Sequence, residues 1–198
     1  MRVEIRNGSV LIEGYVNAIE RDSRVMNGPQ GKFVEQVKAK TFQRALDNAS
    51  DVEILLNHDS SKKLGSTSQG NLKLVEDSIG LRAMATITDV ETMQKAKDNK
   101  LVGWSFSFQK LKDSWQPVSD GIQRRFLEDI NLREVSILDS TKLPAYIGTS
   151  IESRDNGNIL IENRTLEDIT EIIDNSKETE IRSGNEELKK RLLIELEL

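Results

Sequence analysis

The chain has 198 residues, 36% of them hydrophobic and 31% charged, a length that fits one domain of about 150 residues with an appendage and excludes a large multidomain enzyme. Its 28 Lys and Arg against 33 Asp and Glu give a net charge of -5, so no global positive field exists to hold a nucleic-acid backbone. With no cysteine and one histidine, disulfides, thiolate zinc sites, a cysteine nucleophile and a multi-histidine metal cage are excluded, and any histidine base is His58.

No apolar run approaches the roughly 20 residues of a membrane span, and Met1-Arg2-Val3-Glu4 lacks the apolar core of a signal peptide, which predicts a soluble, unexported chain. In chain order, β-rich segments bounded by Gly, Asp, Asn or Ser predict strands over Ser9 to Val16, Val52 to Asn57, Leu81 to Thr88, Trp104 to Phe108, Gln123 to Ile130 and Leu132 to Leu138. Helices are expected over Thr41 to Ala49, behind a Thr cap, and from a Thr88 to Glu91 capping box to about Lys100. The polar stretch Ser60 to Gly70 reads as a mobile loop. Hairpin-like strand clusters without regular crossovers favour an α+β class, an antiparallel sheet or barrel decorated by helices.

Every aromatic residue and proline lies between Tyr15 and Tyr146, which places the folded body at residues 1–150. Residues 151–198 carry 7 basic and 13 acidic side chains and hold the chain's acidity. Leu166, Ile169, Ile172 and Ile173 recur at helical spacing, as do Leu188, Leu192, Leu193 and Leu196 after Ser183-Gly184-Asn185, so this tail is expected to form two amphipathic helices. Ser183 or Asn185 would cap the second helix. The tail then either packs on its own domain or a second copy, or docks the chain into a larger assembly.

Three segments could carry chemistry. In Gly103-Trp104-Ser105-Phe106-Ser107-Phe108, strand alternation sets three aromatic rings on one face and two hydroxyls on the other, an arrangement that suits a rigid nucleophile and equally an ordinary pair of solvated serines. His58 ends an apolar strand, where an imidazole serves either as general base or as a loop residue without a task. In Leu132 to Leu138, Glu134 shares a face with Ser136, and either orients an imidazole or forms a surface ion pair with Arg133 or Arg125. Lys62-Lys63 and Arg124-Arg125 read as solvated basic pairs. No nucleophile elbow, phosphate loop, dinucleotide fingerprint or calcium-loop spacing is present.

The order of these segments, together with Gly14-Tyr15, Phe33-Val34-Glu35, Leu64-Gly65, Gly80-Leu81 and Leu143-Pro144-Ala145-Tyr146, resembles the prohead proteases of tailed bacteriophages, relatives in fold of the herpesvirus assembly proteases. The likeness spans most of residues 10 to 150. It implies a small, mostly antiparallel β-barrel surrounded by helices, with no cofactor or metal, to which the C-terminal helical tail expected from periodicity is appended. It also implies a serine endopeptidase with Ser105 as nucleophile, His58 as general base and Glu134 as orienting acid. Ser107 stands where the family commonly has Gly, and Gln109 where a basic residue is often found. Implied substrates are the major capsid protein, scaffolding segments and the protease itself, cut inside the assembling prohead in the host cytoplasm, with a homo-oligomer such as a dimer expected and neither nucleic acid nor membrane as partner. The rival reading is a noncatalytic capsid-assembly scaffold that keeps the protease fold.

Overall fold

The structure, a computed structural model, describes residues 1–28, 31–119, 121–142, 151–153, 160–167 and 170–176. The described residues build two open sheets. The first has the order β13-β1-β2-β8-β7, from β1 (Arg2–Arg6), β2 (Ser9–Ala18), β7 (Leu72–Glu76), β8 (Gly80–Ile87) and β13 (Glu171–Asp174). The second runs β11-β12-β9-β10-β4-β3, from β3 (Met26–Gly28), β4 (Gly31–Val37), β9 (Leu101–Ser119), β10 (Ile122–Asp139), β11 (Ile151–Ser153) and β12 (Leu160–Glu167). Strands β5 (Glu53–Leu56) and β6 (Asp59–Ser66) join it through a parallel pairing of β5 with β10.

The long hairpin of β9 and β10 is the spine of the molecule. Strand β10 pairs antiparallel with β9 along its whole length, parallel with β4 over Gln123 to Leu127, and parallel with β5 over Glu134 to Ile137. The two segments read separately in the sequence, Gln123 to Ile130 and Leu132 to Leu138, are therefore one strand interrupted by bulges. One bulge matters for the site: Leu132 pairs with Phe108 and Glu134 with Ser107, so Arg133 is the extra residue. The shift brings Leu132 onto the same face as Val135 and Ile137, and Glu134 onto the face of the serines.

Trp104, Phe106 and Phe108 are fully buried on the core face of β9. Phe106 meets Phe42 edge to face and Phe108 stacked, each with ring centroids 5.3 Å apart, within the range where aromatic pairs are attractive. Gly14 lets β2 approach this layer, since a Cβ there would stand 2.9 Å from Trp104 Nε1.

The expected helix-surrounded barrel is not what forms. Among the described residues the fold is mostly β, its sheets do not close, and the α-helices are two of eight residues each, α1 (Thr41–Asn48) and α2 (Val90–Lys97). Helix α1 lies against β10 and β7, and α2 against β1 and β2, so neither encircles the sheets. The cap of α1 also differs from expectation. Thr41 spends its hydroxyl on the Leu127 and Glu128 carbonyls of β10, and the Glu76 carboxylate of β7 accepts the helix's first N–H groups from Lys40 and Gln43. In α2 the cap is Asp89, one residue beyond Thr88, whose carboxylate accepts from the Thr92 N–H and hydroxyl at 2.7 and 2.8 Å.

The tail is corrected as well. Leu166 falls in β12 and Ile172 and Ile173 in β13, as strands rather than a helix; Ile169 and the second predicted helix, Leu188 to Leu196 with its Ser183 or Asn185 cap, lie outside the described residues. Strand β12 pairs antiparallel with β9, and β13 parallel with β1. Ladder hydrogen bonds to strands more than 50 residues away outweigh a local spacing that suits a helix. The expected loop Ser60 to Gly70 is mostly β6, a hairpin partner of β5. Its Lys62 and Lys63 pair with Glu91 and Glu53.

Candidate active site

Strands β9 and β10 present Ser105 opposite Ser136 and Ser107 opposite Glu134, all on the face away from the aromatic layer. Strand β5 runs beside β10 and ends at Leu56, which pairs with Asp59, so Asn57 and His58 form the whole turn into β6. Both have positive φ, 57° and 59°, the backbone that two-residue hairpins require and that a side chain beyond Gly or Asn adopts at a cost. Three hydrogen bonds to β10 hold the turn in place. The Asn57 N–H donates to the Ile137 carbonyl at 2.9 Å, the Asp139 N–H donates to Asn57 Oδ1 at 3.0 Å, and the His58 N–H donates to Ser136 Oγ at 3.1 Å. Asp59, adjacent in sequence, turns to Ser61 instead.

The turn delivers the His58 ring between the two hairpin strands. Its Nδ1 lies 2.6 Å from Glu134 Oε1, and its Nε2 lies 2.7 Å from Ser105 Oγ. With Nδ1–H donated to the carboxylate, Nε2 carries a lone pair toward the Ser105 hydroxyl. Ser105, Ser107 and Glu134 are buried, and the His58 side chain keeps 22% of its surface exposed. The other carboxylate oxygen of Glu134 accepts from Ser136 Oγ at 2.7 Å, and the Ser107 hydroxyl donates to Oε1. The two serines of β9 are thus distinguished by position: Ser105 faces Nε2, while Ser107 faces Glu134 and Nδ1, the latter at 3.2 Å.

Neither alternative partner named for Glu134 is engaged with it among the described residues. Arg133 reaches Gln109, and Arg125 is deep in a second cluster. That cluster overturns the reading of Arg125 as a solvated cation. Its guanidinium contacts Glu162 at 2.5 and 2.8 Å, Asp113 at 2.8 Å and Glu35 at 3.1 Å, and Arg164 bridges Glu35 and Glu162. Burial disfavours the charge on Arg125, yet Glu162 and Glu35 hold its pKa well above the usual arginine value. Burial likewise raises and the two guanidiniums more strongly lower that of Glu162.

Two site residues escaped the sequence reading. Ser136 was visible on the Glu134 face, but nothing local signals that it serves both the acid and the base. Asn163 of β12 stands opposite Ser107 with its amide in hydrogen-bond contact with that hydroxyl, and it comes from the segment read as tail. Among the described residues no group of three or more His, Asp or Glu side chains is arranged to hold a metal ion, and no helix is long and apolar enough to cross a membrane. Pro144-Ala145-Tyr146 lies outside the described residues.

The protein family described as caudovirus prohead serine protease matches residues 1–162 of the chain. No curated protein and no solved structure matches it.

Proposed function

The chain belongs to the caudovirus prohead serine protease family, and from that premise we propose that it is an endopeptidase working through Ser105, His58 and Glu134. The observation that carries the reading is the unbroken chain of contacts from Ser105 Oγ through the imidazole to Glu134, at 2.7 and 2.6 Å. Ser105 Oγ attacks a peptide carbonyl while His58 Nε2 takes its proton. Glu134 holds the Nδ1–H, fixes the tautomer and stabilises the imidazolium that forms. His58 then hands the proton to the leaving amine, and water hydrolyses the acyl-enzyme by the same route in reverse roles. No metal or cofactor enters any of these steps.

A prohead protease acts in capsid maturation, so capsid proteins are its substrates. The finer reading is that scaffolding segments, the major capsid protein and the protease itself are cut inside the assembling prohead in the host cytoplasm, with the enzyme acting as a homo-oligomer. The test is active-site labelling with a fluorophosphonate alongside cleavage of capsid and scaffold protein by the purified chain. Ser105→Ala and His58→Ala are expected to lose both, with circular dichroism unchanged, while Ser107→Ala keeps measurable labelling. Undiminished cleavage by Ser105→Ala would remove the nucleophile from the scheme.

A further inference from the structure

Ser105 has no exposed surface, although the reading above makes it the nucleophile. What covers it on one side is the chain's own β12, whose Asn163, Arg164 and Thr165 pair with Ser107, Phe106 and Ser105. The Arg164 carbonyl oxygen lies 2.8 Å from Ser105 Oγ. A scissile carbonyl has to bring its carbon to about 3–3.5 Å from the attacking oxygen, and this ground is already held by a peptide group of β12. The same contact also diverts the proton. A hydroxyl has one hydrogen, and the Arg164 carbonyl at 2.8 Å competes for it with His58 Nε2 at 2.7 Å.

On the opposite face, β12 is fastened by charge. Glu162 grips Arg125, Arg164 grips Glu35, and the Arg164 guanidinium lies 5.2 Å over the Phe108 ring. The composition of this lock makes it separable. Strand β12 contributes one acid and one base, and without them Arg125 retains Glu35 at 3.1 Å and Asp113 at 2.8 Å. Departure of the strand therefore leaves no buried guanidinium unpaired, the condition that would make separation prohibitively costly.

We propose that β12 is an internal plug, occupying the place of the substrate backbone beside Ser105, and that peptide cleavage requires it to part from β9. The proposal rests on Ser105 being the nucleophile. Because the chain has no cysteine, one engineered pair tests it. Gln109 and Ile161 face each other across β9 and β12, and facing residues of antiparallel strands have Cα atoms about 4.5–5.5 Å apart, within the range a disulfide spans. In the full-length Gln109→Cys, Ile161→Cys variant, fluorophosphonate labelling is expected at the wild-type rate when reduced, to fall by about tenfold or more when oxidised, and to return with dithiothreitol. A second variant, Glu162→Gln with Arg164→Met, loosens the strand without changing net charge and is expected to label several-fold faster than wild type, a gain that misfolding does not produce. Equal labelling of the oxidised and reduced forms would overturn the plug while leaving the nucleophile in place. Failure of wild type, reduced and loosened proteins alike to label would instead overturn the serine-peptidase reading, and the plug with it.

Discussion

Replacing Ser136 by alanine probes the support of the site without touching the proposed nucleophile, base or acid. Its hydroxyl is fully buried, donates to Glu134 Oε2 at 2.7 Å and accepts the His58 N–H at 3.1 Å. The first bond is to a carboxylate, a type that contributes about 1.5–3 kcal/mol, and loss of the second strands a backbone donor at a cost of about 1–3 kcal/mol. Both bonds share one oxygen, so the losses overlap, and a total of about 2–4 kcal/mol is expected in urea denaturation with an unchanged m value. Because the same substitution removes one of the three bonds that hold the left-handed turn and one of the partners of the carboxylate, the imidazole is held less firmly toward Ser105. The labelling rate is then expected to fall about tenfold to a hundredfold at saturating folded protein, with an altered pH profile. Ser136→Thr, which keeps the hydroxyl, separates the two effects and is expected to recover most of the labelling. A Ser136→Ala protein with full stability loss but a wild-type rate and pH profile would refute the argument that this hydroxyl orients the site.

Arg125→Met removes one of two cations facing the buried Glu35 and Glu162 and the half-buried Asp113, and is expected to destabilise by about 3–5 kcal/mol, read as a fall in urea midpoint. Asp139 is buried, which raises its pKa, but Lys95 at 2.6 Å, the Thr141 hydroxyl and N–H and the Asn57 amide lower it further, to well below the normal aspartate range. A depressed carboxylate stabilises above the unfolded value of about 4 and loses that contribution as pH falls toward the folded value. Lys95→Met is therefore expected to cost about 3 kcal/mol at pH 7 and progressively less below pH 4, in parallel urea titrations of variant and wild type. Gly14→Ala places a methyl 2.9 Å from Trp104 Nε1 and 3.3 Å from Met1 Cα, and is expected to lower stability by about 1–3 kcal/mol, seen in the melting temperature. Intact-mass spectrometry of protein incubated with scaffold is expected to show loss of C-terminal segments in wild type and not in Ser105→Ala; a tail left whole while scaffold is cut would count against self-processing.

What the sequence made legible is what a period of two can carry. The alternation of Trp104, Phe106 and Phe108 against Ser105 and Ser107 is a local property, and the structure shows it as three fully buried rings behind two hydroxyls. His58 was visible at a strand end because it follows the apolar run Val52 to Leu56 and precedes a polar stretch. The left-handed pair Asn57 and His58 was not, because its stability comes from Ser136, Ile137 and Asp139, about 80 residues on. The tail shows the opposite failure. Leu166, Ile172 and Ile173 do sit at helical spacing, but edges of β9 and β1 were open to them, and a periodicity argument cannot see an unpaired edge elsewhere in the chain. The Arg125 cluster was invisible for a like reason, since its members come from four strands and no pair of them is a recognisable motif.

The bulge at Arg133 separates the register of the site from that of the outer arm, which is itself interrupted again at Leu127 to Ile130. From Phe108 toward Leu101 the ladder sets the proposed acid against the serines; from Gln109 toward Ser119 it serves the pairing with β4. A strand without such an interruption transmits any slip along its whole length and swaps its faces. Here a slip between Gln109 and Ser119 is absorbed before it reaches the site, so Ser105 stays opposite Ser136 while Asp113 and Arg125 of the outer arm keep their own hold on the ion cluster.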